Sequence, residues 1–175
     1  MLPVGDRLAR HHGRMAESDP FPPEALLDSV PGPLRALAEG LRTMVREAEP
    51  DALERVRPGW WLIGYDLRVG RRTSFFTWIW PETSAGHVHL GFPQGAVMDD
   101  PRGLLDGAGV TKLARWVTLT PGARDTLATR ERARFVELVH EAARVARMSR
   151  GERYARAQQL EGGSDRSGPQ GAGGP

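Results

Sequence analysis

The sequence contains no cysteine among its 175 residues. That excludes disulfides, thiolate metal sites and a cysteine nucleophile, and it fits a reducing compartment. No run approaches the roughly 18 apolar residues of a membrane span, and the N-terminus lacks the apolar core of a secretory signal. A cytoplasmic location without a membrane partner is the expectation. Lysine is nearly missing as well: Lys112 is the single lysine among 24 cations. The formal charge is only +2, with 22 acidic residues interspersed. Arginine dominance therefore reflects genome composition more than a nucleic-acid partner. Catalytic signatures are lacking too. There is no GxSxG elbow and no HExxH, and the carboxylate pairs lack the apolar pocket that raises an acid's pKa. Gly107 to Lys112 has the glycines and lysine of a phosphate loop but not its spacing, and a strand follows where a helix is required. A backbone nest for an anion is what remains of that reading. Asp99, Asp100 and Asp106 fail the calcium-loop spacing and are better turn-makers. Nothing argues positively for an enzyme.

What is present reads as helix, strands, helix between two tails. Residues 1–21 form a flexible arm containing His11-His12, for which a metal-binding role is the sharper alternative. Met15 is an alternative translation start to Met1. A proline-punctuated segment with a helical turn at 24–29 leads into a helix over 34–48. Leu34, Leu37, Leu41, Met44 and Val45 make its apolar stripe, and Arg35, Arg42 and Arg46 lie on its wet side. Strands are expected at 60–67, 73–80, 86–92 and 114–120, with brief pairing at 96–98. The strand 73–80 is apolar in both phases: Phe75 and Ile79 on one, Phe76, Trp78 and Trp80 on the other. It must be covered on both faces. A second long helix spans 126–148. Residues 149–160 extend it or form a separate helix, and 161–175 are a disordered Gly-rich tail. The fold class is α+β: a two-layer sandwich with a largely antiparallel sheet of four to six strands and two long helices on one face. One domain covers 22–148.

Three constellations carry chemistry. His87 and His89 stand two apart on a strand and share a face. They could hold a metal if a third ligand arrived from Asp66, Glu82, Asp99 or Asp100. The plainer alternative is two hydrogen-bonding histidines beside tryptophans. The five tryptophans concentrate in the strands, and Trp60 and Trp116 with the histidines would line a small-ligand site or a homodimer interface on the sheet face away from the helices. Arg144, Arg147, Arg150, Arg153 and Arg156 recur every third residue, which spirals around a helix and makes no single basic stripe.

The run from His87 to Leu119 carries a resemblance. Leu90-Gly91-Phe92, Gly95, Asp100-Pro101, Leu104-Leu105-x-Gly107-x-Gly109 and Arg115-x-Val117 resemble the hallmark of the YdhG-like family, a bacterial domain of unknown function. The likeness covers about residues 33–146. It implies an α+β sandwich of frataxin-like shape, and some members are described as frataxin-like intracellular iron chaperones. It thus implies iron as a cofactor or cargo, on an acidic ridge around the first helix. Here that ridge would comprise Glu39, Glu47, Glu49, Asp51 and Glu54, interleaved with arginines. The leading expectation is a non-enzymatic domain that binds a small ligand or partner at Trp60, His87, His89 and Trp116. A metal chaperone using His87 and His89 is the alternative, and an Arg-rich nucleic-acid-associated protein the weaker one.

Overall fold

Apolar periodicity accounts for most of the elements. In the computed structural model, which describes residues 21–123, 127 and 131–164, a short helix α1 (Pro23–Asp28) precedes α2 (Gly32–Ala48). Leu34, Leu37, Ala38, Leu41, Met44 and Val45 form the buried stripe of α2. Arg42, expected on the wet side, is buried as well. It reaches Glu54 through two hydrogen bonds of 2.9 and 2.8 Å and Glu24 through one of 2.7 Å, so its charge is matched by Glu54 on the buried side and by Glu24 at the solvent edge.

Five strands follow: β1 (Leu53–Arg57), β2 (Leu62–Val69), β3 (Arg72–Glu82), β4 (His87–Phe92) and β5 (Arg115–Leu119). They pair in chain order as an antiparallel meander. The helices α3 (Glu131–Arg147) and α4 (Arg150–Ser164) complete the order. Both α2 and α3 pack on the sheet, and the main core lies between them and its inner face. No helix among the described residues is long and apolar enough to cross a membrane.

Several local expectations are corrected. Strand β1 is absent from the sequence reading, because its charged residues hide the alternation; it is an edge strand whose pairing with β2 supplies the order. The Trp60-Trp61 pair lies in the turn before β2, not in the strand. Both amides donate to the Arg57 carbonyl, and Trp61 takes a positive φ of 55°. Residues 95–97 form a 3₁₀ turn in place of a paired segment, although the Ala96 amide does donate to the Leu113 carbonyl. α4 is a separate helix. Ser149 and Glu152 cap it reciprocally, each accepting the other's amide proton, and its backbone continues past Gln159 to Ser164. The arm 1–20, with His11-His12 and Met15, lies outside the described residues, as do Thr126 and 165–175.

The most consequential correction concerns β3. Tyr65 pairs with Thr77 but Asp66 pairs with Phe75, so Phe76 is an extra, bulged residue. A bulge inverts the side-chain alternation on either side of it. Phe76 therefore joins Ile79 in the main core, while Phe75 joins Trp78 and Trp80 on the outer face. The strand also runs through Pro81 to Glu82 instead of ending there. Its pairing with β2 stops at Ile79, so Pro81 stands where β3 has a neighbour on one side only.

Candidate metal centre on the outer sheet face

The β3–β4 hairpin builds the site. Its register sets Glu82 opposite His87 and Trp80 opposite His89. In β4, Val88, Leu90 and Phe92 enter the main core, which turns His87, His89 and Gly91 to the outer face. Glu82, two residues beyond Trp80, points the same way. Three potential ligand atoms then converge. His87 Nε2 lies 2.9 Å from His89 Nε2 and 3.1 Å from Glu82 Oε2, and His89 Nε2 lies 3.4 Å from the same oxygen. Among the described residues this is the one cluster of three or more His, Asp or Glu side chains with ligand atoms within metal-binding reach of one another.

The triangle has the size of a coordination face. Zinc-type bonds of about 2.0–2.2 Å, at angles between octahedral and tetrahedral, separate neighbouring ligand atoms by about 2.9–3.5 Å. The protons tell the same story. Only one proton can sit usefully between the two Nε2 atoms, and the carboxylate brings none when ionised. With both imidazole protons on Nδ1, the tautomer that an ion would select, three lone-pair-bearing atoms face one point.

Packing holds His89 rigidly. Its side chain is 5% exposed, against 13% for Glu82 and 22% for His87. The Trp80 ring stacks on it with centroids 5.3 Å apart, and Trp78 and Trp116 meet it edge-on at 6.4 and 5.9 Å. Its Nδ1 lies 3.2 Å from the Thr118 hydroxyl, its partner across the β4–β5 ladder. That contact is the outer support a metal-ligating imidazole needs: with Nε2 on an ion, Nδ1–H donates to Thr118. Burial, then the neighbouring His87, push the His89 pKa down to about 4. The ring is therefore neutral near pH 7, as a ligand must be.

The remaining sequence candidates fall elsewhere. Asp66 is taken by Arg57 through two hydrogen bonds, with the guanidinium over Phe75. Asp99 pairs with Arg156 and Arg144. Asp100 accepts the Leu104 and Leu105 amides, a turn-making role. In the glycine loop, the Val110 and Thr111 amides both donate to the Gly107 carbonyl. Trp60 packs on Phe75, further along β3 from the histidines. Trp116 does reach His89, but it is buried: Gly107 leaves no room for a Cβ above its ring, and Asp106 bridges to its backbone. Trp78 lies just as closely over Gly91. In the arginine series, Arg144, Arg147 and Arg156 hold Glu141, Glu49 and Asp99, and Arg153 caps the Met148 carbonyl.

Sequence reasoning missed Thr118 and Trp80 as supports of His89. Alternation along β5 puts Trp116 and Thr118 on the face opposite Val117, and the antiparallel register with β4 sets Thr118 beside His89.

Fold and site together define a class: a two-layer α+β domain with a five-stranded antiparallel meander and a two-histidine, one-carboxylate cluster on the face opposite its helices. No family model, curated protein or solved structure matches the chain.

Proposed function

We propose that this domain binds one divalent transition-metal ion through Glu82 Oε2, His87 Nε2 and His89 Nε2. The convergence of these three atoms within 2.9–3.4 Å carries the reading. Two imidazoles and one carboxylate favour zinc or ferrous iron over magnesium or calcium, which prefer all-oxygen sites. The test is calorimetry of metal-stripped protein with Zn²⁺ and Fe²⁺. One equivalent should bind to the wild type, and binding should be lost in His87→Ala/His89→Ala. Equal heats in both proteins would sink the proposal.

A small ligand or a second subunit on the aromatic face has less support. Leu62, Trp78 and Trp116 there are already covered by the chain itself. Nucleic-acid binding through the C-terminal arginines has less again, because most of them are spent on internal partners.

Kinship with the YdhG-like family is also part of this proposal. Its support is the run from Leu90-Gly91-Phe92 to Arg115-x-Val117 and the helix–sheet–helix order. An iron site on the acidic ridge is less well supported than one at Glu82. Glu47 pairs with Arg132, Glu49 with His140 and Arg147, and Glu54 with Arg42, which leaves that ridge little free negative charge.

A further inference from the structure

Resting on that metal reading, we infer that the ion keeps an exchangeable coordination position open to solution, and that its added ligand is a small anion. The hairpin supplies three ligand atoms, which make one triangular face of a coordination shell. Four to six positions are usual for zinc and iron, so at least one lies beyond that face. No fourth His, Asp or Glu among the described residues joins the cluster. The inner side is closed. Trp80 stacks on His89, Trp78 and Trp116 stand edge-on to it, and Thr118 holds its Nδ1, so the ring cannot turn to admit another group from below. The outer side is not closed, because His87 and Glu82 are the more exposed members of the trio.

Charge names the class of ligand. Two neutral imidazoles and one carboxylate leave a divalent ion with a net charge of +1. Part of its surroundings is indole, which solvates charge far less well than water, so a monoanion is favoured over a neutral donor. Asp106 is the competing occupant from within the chain, since it sits beside Trp116, which meets His89 edge-on. Its backbone, however, is tied to Trp116 by hydrogen bonds of 2.8 and 3.2 Å, and its side chain is exposed and outside the trio. It therefore leaves the open position unfilled.

The experiment is visible spectroscopy of the full chain loaded with one equivalent of Co²⁺, titrated with sodium azide and, separately, with acetate. His87→Ala serves as the metal-site control, with circular dichroism to confirm its fold. The expected result is a set of cobalt bands, weakened or lost in His87→Ala, that shift saturably with azide in both wild type and Asp106→Asn. A smaller shift with acetate would extend the class to carboxylates, and a shift with azide alone would limit it to small inorganic anions. Bands that form but do not move with azide would overturn the inference and leave the metal reading standing. An azide response appearing only in Asp106→Asn would overturn it in favour of Asp106 as the fourth ligand. No bands at all would overturn the metal reading, and this inference with it.

Discussion

Two polar clusters are built into opposite faces of the same sheet. On the helix side, Arg42 joins Glu54, Glu24 and the Tyr65 hydroxyl. On the outer side, Glu82, His87 and His89 meet, with three indoles packed around His89. The first cluster is closed. Its guanidinium donates to both carboxylates, the phenol donates to one of them, and opposite charges sit in contact. The burial of Tyr65 and the Glu54 charge push its pKa far up, so the phenol stays protonated and serves as a donor. The second cluster has no permanent cation, and with both imidazole protons on Nδ1 it presents three acceptors to one point. On the metal reading proposed above, the difference separates structure from function: a matched cluster holds elements together, whereas the histidine cluster would be completed by an ion from outside.

Breaking the matched cluster should have the largest effect. Arg42→Ala leaves Glu54 and Tyr65 without their cation and should cost about 3 kcal/mol, the scale for stranding a buried partner. Urea unfolding measures it, and a loss under 1 kcal/mol would mean that water already reaches the network. Zn²⁺ titration of Arg42→Ala should remain one-to-one, because the outer site has its own supports.

Completing the acceptor-rich cluster comes next. Zn²⁺ at about one hundred times its dissociation constant should stabilise the wild type by about 2.7 kcal/mol. Glu82→Gln should largely abolish that gain while leaving the metal-free protein nearly as stable. A thermal-shift series with and without chelator reads both. An undiminished gain in Glu82→Gln would remove the carboxylate from the site.

Thr118→Val probes the support behind His89 and should weaken Zn²⁺ affinity about tenfold, the lower end for such outer partners. The fold should be little affected, since the valine nearly matches the threonine in shape. Competition with a chromogenic chelator gives the affinity. An unchanged value would show that the indoles alone orient the ring.

The smallest effect concerns acid. Burial raises the Glu54 pKa, but hydrogen bonds from Arg42 and Tyr65 together outweigh it and hold the group below its ordinary value of 4.5. A carboxylate depressed in the folded state contributes stability above its unfolded pKa and loses it as pH falls through the folded one. Wild-type stability should therefore drop from about pH 5 downward. Glu54→Gln should flatten that decline, and equal slopes in the two proteins would place the acid sensitivity elsewhere.

How much of this was legible in advance varies by element. The stripe of α2 and the alternation of β4 could be read because each depends on spacing along one segment. The histidine pair followed directly from β4. Strand β1 could not be read, since LERVR has no apolar face strong enough to declare itself before β2 lies beside it. The wet-side assignment of Arg42 failed because helical position does not reveal that Glu54 on β1 will arrive beneath it.

The site divides in the same way. Short-range pattern was enough to put His87 and His89 on one face, because successive strand residues must alternate. For a third ligand it offered four carboxylates and placed none of them beside the pair. Choosing Glu82 required the β3–β4 register and the passage of β3 through Pro81. Placing Trp78 and Trp80 beside the histidines required that same register, and sending Phe75 there while Phe76 turned inward required the extra residue at Phe76. Both depend on hydrogen bonds between strands, whose partners are distant along the chain and are chosen only when the whole sheet packs against α2 and α3.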